Sequence, residues 1–398
     1  MNILHFFGTS CMLRQQTFLL PVTLLWYQYN GLTAADFVFF QGIFILLGLF
    51  SEVPSGYLAD IFSKKHILLC SFTLFIIRSL LWLNFTGIYV IIAGETLVVL
   101  SRSLFQGIYD SYIYEYLEQK KETDKLVKYY GIINCYLNIG TGSASLLCSL
   151  LYPTYSLYVL LTLELITTSV AIILMAMVPN IPNKSTRKPL KQHFTDMYST
   201  VKQTLSNSKI NHLIVISAIF ASSTYIYIWN FQPIMNATNV SVKIFGCVYF
   251  CNFFFRALAG YMSDHIQRKV TYKWLAFIVM SHIFIAFTGL ALAEHFKISY
   301  LTLGVIFLIC IGIGAQLSFN ILTIATIQKI ASASVRATTS SSYNLVAQGV
   351  AGIMLSSFKF LVKYLSFTEI YLLYLGIYIV LGLGIYCWKF TSDNSQDA

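Results

Sequence analysis

Seven charged side chains sit where charge is expensive. Arg14, Glu52, Arg78, Glu95, Arg102, Glu164 and Arg256 all lie inside long apolar runs, and a charge at the centre of a bilayer costs at least ~2.5 to 3.5 kcal/mol. Such residues pair with one another, line a substrate path or relay protons. A carboxylate in a low-dielectric cavity takes up a proton more readily than one in water, which is what exchanging a proton in each transport cycle requires. Glu95 and Arg102 are separated by two helical turns and so point to one face, as either a transport pair or a structural ion pair. Glu164 reads as structural or as a second proton carrier. The stretch Ser222 to Asn230 mixes hydroxyls with aromatics, and Tyr225, Tyr227, Trp229 and Asn230 there would suit an amphipathic organic ligand. Enzyme chemistry finds no support: no H-E-x-x-H, G-x-S-x-G or P-loop string occurs. The eight cysteines form no CxxC pair, so reduced thiols are expected and neither a metal nor a cofactor is implied.

The elements that must hold these residues are set by composition. With 57% hydrophobic residues, 11% charged residues and a mean hydropathy of +0.69 over 398 residues, the chain cannot present an ordinary water-facing surface. A spanning helix takes roughly 20 apolar residues. Twelve runs are found, at about 11–29, 34–56, 66–84, 87–109, 130–151, 156–178, 211–231, 242–261, 272–293, 299–323, 338–358 and 369–388. The expected fold is an all-α membrane protein of twelve transmembrane helices in two six-helix bundles, 1–178 and 211–390. A linker at 179–210 and a tail at 391–398 complete it. The linker opens with Pro179, Pro182 and Pro189, which forbid a continuous helix. Its second part spaces Phe194, Met197, Tyr198, Val201 and Leu205 helically, as an interfacial or a solvated helix would. The net charge of +10 comes from cations scattered between runs, which argues for topology signals and against nucleic-acid binding. About eighteen Lys and Arg fall on one side and about four on the other, so both termini are expected to be cytoplasmic.

A repeat divides the chain further. Gly56-Tyr57-Leu58-Ala59-Asp60-Ile61-Phe62-Ser63-Lys64-Lys65 leaves the second run, and Gly260-Tyr261-Met262-Ser263-Asp264-His265-Ile266-Gln267-Arg268-Lys269 leaves the eighth. Both read G-Y-x-[AS]-D-x-x-x-[KR]-K at matching places in the two halves. Glycine permits close helix approach, Asp ends a helix among backbone groups, and the paired cations would face inner-leaflet phosphates. A charged turn that only fixes topology would explain one copy, but not two with the same Gly and Asp. The same offset maps Glu52 onto Arg256, opposite charges at equivalent positions. They could pair as a gate, or each within its own half, for instance with Arg14 or Arg78.

These features resemble the major facilitator superfamily, whose loop signature after helix two is G-x-[LIV]-[SA]-D-R-x-G-R-[RK]. Ile61 and Ser63 replace the usual Arg and Gly in the first copy, and His265 and Gln267 stand at those places in the second. Glu52 to Asp60 resembles the E-V-P-T-G-x-x-A-D form of a bacterial branch, as does Trp229-Asn230-Phe231-Gln232-Pro233. Arg102, Gln106 and Gly107 give R-x-x-x-Q-G, one residue longer than the exporter pattern R-x-x-Q-G. Run five has Gly131, Gly140 and Gly142 without the antiporter proline. The resemblance implies alternating access with no cofactor, Asp60 meeting the start of run eleven near Arg336 to Thr339, and Asp264 meeting run five near Lys128. The expected function is a proton-coupled exporter of small amphipathic organic molecules. The alternatives are an importer of an anionic metabolite and a lipid-handling or non-transporting scaffold. Expected partners are a small-molecule substrate, protons and the lipid bilayer, with no nucleic acid, in a monomer of the bacterial plasma membrane.

Overall fold

In a bilayer core each backbone N–H must find its partner within its own segment, so long apolar runs have little alternative to helix. The computed structural model describes residues 3–122, 125–181, 208–330 and 333–394, and they are helical over nearly their whole length. In chain order the helices are α1 (Ile3–Arg14), α2 (Thr23–Tyr29), α3 (Ala34–Ile61), α4 (Lys64–Asn84), α5 (Ile88–Gln119), α6 (Leu126–Leu151), α7 (Leu157–Met177), α8 (Ser208–Ala237), α9 (Phe245–Lys269), α10 (Tyr272–Phe296), α11 (Ser299–Ile330), α12 (Ala333–Leu361) and α13 (Phe367–Asn394). Among the described residues eight helices are long and apolar enough to cross a membrane. The linker pattern at Phe194 to Leu205 lies outside the described residues, as does the tail from residue 395.

Local chemistry sets several boundaries. A capping box starts α3: the Thr33 hydroxyl accepts from the Asp36 amide at 3.1 Å, and the Asp36 carboxylate accepts from the Thr33 amide at 2.9 Å. Ser63 caps α4, leaving a turn of only Phe62 and Ser63 between α3 and α4.

Several elements differ from the sequence expectation. The first run is not one helix from 11 to 29. Helix α1 starts at Ile3 and stops at Arg14, and helix resumes as a short 3-10 turn at Leu20–Val22 leading into α2. Pro21 supplies no N–H and restricts the residue before it, and the polar run Gln15-Gln16-Thr17 precedes it. Helix α8 passes through Pro233 and ends at Ala237 rather than near 231. The two motif copies also differ: α3 ends directly after Asp60, whereas α9 continues beyond Asp264 to Lys269.

The chain divides into two compact units, one of residues 1–37, 47–190 and 241–257, the other of 38–46, 191–240 and 258–398. Thus residues 38–46 of α3 belong to the second unit and the first half of α9 to the first. Small residues make this possible. A Cβ on Gly42 of α3 would lie 2.4 Å from the Ser356 amide nitrogen of α12. One on Gly246 of α9 would lie 1.9 Å from the Ser145 carbonyl oxygen of α6. In both places backbone approaches backbone closely, and dispersion takes the place of a hydrophobic driving force that lipid removes. The Ser149 hydroxyl fastens the second contact by accepting from the Cys247 amide at 3.0 Å.

Candidate functional site

The first unit buries a charged cluster around the break in the first run. Arg78, projecting from α4, forms an ion pair through Nη1 with Glu164 Oε2 of α7. Its guanidinium lies 3.8 Å from the Trp82 ring centroid and 5.2 Å from that of Phe75. Glu164 is fully buried, and its other oxygen accepts from the Leu19 amide at 2.8 Å. Leu19 lies inside the break, so Glu164 satisfies a donor that the lost helical turn sets free. Thr141 of α6 does the complementary work, its hydroxyl donating to the Gln15 carbonyl at 3.1 Å. The break is therefore bonded to the surrounding protein at Gln15 and Leu19, with Phe18 and Leu19 buried, the condition under which irregular backbone survives at membrane depth.

Arg14 closes α1 beside the same cluster and is 4% exposed. Its Nη2 donates to Ser101 Oγ at 2.7 Å and its Nη1 to Gln15 Oε1 at 3.2 Å. The Phe75 and Phe105 rings stand 4.8 and 5.3 Å from its guanidinium carbon, so Phe75 serves both arginines. Such ring contacts contribute ~0.5 to 2 kcal/mol each. Ser101 is itself fixed, since its hydroxyl donates to the Ser71 carbonyl and the Ser71 hydroxyl donates to the Ser101 carbonyl, both at 2.7 Å.

Glu95 of α5 is buried and accepts from the Tyr27 hydroxyl of α2 at 3.2 Å. Two turns further, Arg102 is exposed. Arg78 instead pairs with Glu164 on a different helix, and the sequence spacing of Glu95 and Arg102 gave no sign of it. Arg256 on α9 is half-buried, its guanidinium 5.9 Å from the Phe253 ring.

At the first motif copy Lys64 is buried and ion-paired with Glu115 of α5, so it does not face lipid phosphates. Lys65 donates to the Ala176 carbonyl near the end of α7 at 2.6 Å. In the second copy Gly260 and Lys269 are exposed. The side chains of Glu52, Asp60, Asp264 and Arg268, the environment of Gly56, and the expected contact residues Lys128 and Arg336 to Thr339 lie outside those described.

The second unit builds its interior from uncharged polar groups. Asn230 is buried, donating to the Ile226 carbonyl at 2.8 Å and accepting from the Tyr371 hydroxyl at 3.2 Å. Tyr378 shares a hydrogen bond of 2.7 Å with Ser222, and Tyr374 donates to the Met354 carbonyl at 2.5 Å. Tyr227 is buried against His282 and Phe287, with ring centroids at 5.6 and 5.1 Å. Tyr225 and Trp229 are half-buried. Tyr371, Tyr374 and Tyr378 are not among the sequence-predicted residues, although their spacing of three and four along α13 is a helical stripe that could have found them. Ser71, Ser101 and Tyr27 carry no comparable signal.

The sequence profile of the Major Facilitator Superfamily matches residues 4–357, and the chain belongs to this family. An uncharacterized MFS-type transporter of Methanocaldococcus jannaschii is 25% identical over 140 residues, a match spanning 35% of this chain and 35% of that relative. Among solved structures, a mutant form of the nucleoside transporter NupG superposes with a TM-score of 0.79 at 14% identity, covering 97% of this chain and 100% of its own. A POT family transporter in complex with 5-aminolevulinic acid gives a TM-score of 0.74 at 13% identity, covering 96% and 95%. At these identities the likeness is one of fold. Membership of this family makes the protein a multi-pass membrane transporter, not an enzyme.

Proposed function

We propose that this protein is a proton-coupled secondary transporter that exports small amphipathic organic molecules by alternating access. It would have twelve spans in two six-helix halves, 1–178 and 211–390, with both termini in the cytoplasm of a bacterial cell. The observation that carries the coupling is Glu95, a buried carboxylate whose hydroxyl donor is Tyr27. A neutral phenol can serve either protonation state, donating to the carboxylate or accepting from the acid. Glu164 is the poorer carrier, because Arg78 and the Leu19 amide already engage both its oxygens. The half-buried Tyr225 and Trp229 beside hydroxyl-bearing residues support an amphipathic substrate.

The test is transport in proteoliposomes under an imposed pH gradient with a panel of organic solutes. Uptake driven by an acid interior indicates antiport, and uptake driven by an acid exterior indicates symport and import. Indifference to the gradient would remove the coupling. Import of an anionic metabolite is the second reading, favoured by the positive surroundings of Arg14.

For the gate, Asp60 is proposed to stabilise one access state by meeting the start of α12. Asp60→Asn keeps size and removes charge, so it should insert normally, turn over more slowly and shift accessibility labelling toward one face. Normal turnover together with normal labelling would end that reading.

A further inference from the structure

Arg14 is a buried cation without an acid of its own. Among the described residues the interior carboxylate Glu164 is committed to Arg78, and no acid lies within ion-pair reach of Arg14. Arg102 and Arg78 act on Arg14 as like charges and Glu164 as an opposite one. Its guanidinium has five N–H donors. One goes to Ser101 and one to Gln15, and the buried Nε finds no acceptor. A cation placed in this way is costly unless something brings it a negative charge. Arg102, the peptide neighbour of the Ser101 that holds Arg14, is exposed and close enough to act on Arg14 as a like charge.

We infer that Arg14 is the anion-binding residue of the transport site and that the substrate carries a carboxylate, which takes the N–H donors Arg14 leaves unused. A planar carboxylate matches two adjacent guanidinium donors. Phe75 and Phe105, already stacked on Arg14, offer apolar surface to the rest of a small organic acid. Arg102 draws the anion in from the exposed side, and Arg14 retains it. The Ser71–Ser101 lock fixes the guanidinium before the substrate arrives, so little side-chain entropy is lost on binding. This inference rests on the reading of the chain as a small-molecule transporter and narrows its substrate to an organic carboxylate.

The experiment uses the full-length protein in detergent. Thermal stabilisation and quenching of tryptophan fluorescence are read with benzoate, salicylate and hexanoate, each against its amide. At least one acid should bind about tenfold or more tightly than its amide. Arg14→Gln should erase that preference, while Arg14→Lys, which keeps the charge but loses the planar fork, should keep part of it. The ratio of acid to amide binding is what a merely structural arginine would leave unchanged, and the lysine variant serves if the glutamine variant does not fold. No preference for any acid, or a preference that survives Arg14→Gln, overturns the inference. Uptake of a neutral solute with unchanged turnover in Arg14→Gln liposomes would likewise overturn it and leave the transporter reading standing. Acid binding by a wild-type protein that moves no solute would do the reverse.

Discussion

The two units solve the same problem, polar groups in an apolar interior, with different chemistry. Among the described residues every buried Arg, Lys or Glu lies in the first unit: Arg14, Lys64, Arg78, Glu95 and Glu164. The second unit buries Asn230, His282, Gln316, Ser222 and the phenols of Tyr227, Tyr371, Tyr374 and Tyr378. A neutral hydrogen bond is satisfied by one partner and tolerates small shifts. A buried charge must be met by an opposite charge or by several donors, and losing a partner leaves a large penalty. The first unit is therefore the more sensitive to single substitutions and the better suited to a chemistry of changing charge. The second suits recognition of uncharged surface.

The largest break in this contrast should come from the Arg78–Glu164 pair. Arg78→Gln strands a fully buried carboxylate and should cost ~3 to 5 kcal/mol, seen as loss of folded protein after detergent extraction and a lower melting temperature. Adding Glu164→Gln should recover much of that loss. A double variant no more stable than Arg78→Gln alone would show that the stranded charge is not the source of the loss.

Gly246→Ala is expected next. The added methyl falls 1.9 Å from the Ser145 carbonyl oxygen, backbone that can yield only by moving α9 from α6, a strain of ~1 to 3 kcal/mol. Melting temperature should fall and transport should slow. Unchanged values would mean that the two helices separate freely.

Glu95→Gln tests the functional side. The amide still accepts from Tyr27 but cannot carry a proton, so accumulation driven by a pH gradient should drop about tenfold or more while the melting temperature holds. Gradient-driven accumulation equal to wild type would move the proton site elsewhere.

The smallest effect belongs to the second unit. Tyr371→Phe removes one neutral donor to Asn230 and should cost ~1 kcal/mol in stability, with coupling to pH untouched. A cost as large as that of Arg78→Gln would erase the contrast between the units.

Much of this architecture is written along the chain. Hydropathy alone separates the spans, because lipid forces the backbone to pair within each segment. The duplicated motif and the family membership follow from residues close together in sequence. Composition also told that Arg14, Arg78, Glu95 and Glu164 sit at a cost, since charge within an apolar run needs no structure to be recognised. Which charges meet is another matter. Arg78 and Glu164 are 86 positions apart, Arg14 and Ser101 are 87 apart, and Glu164 reaches the Leu19 amide across 145. No periodicity links them, because side-chain spacing along one helix reports a face and not what covers it. For the same reason Glu95 and Arg102 share a spacing but not a burial. The break after Arg14 was half legible in Pro21, which forbids a hydrogen bond. It took the packing of α6 and α7 around the unwound residues, bringing Thr141 and Glu164 to their free backbone groups, to decide that the chain would break there and remain inside.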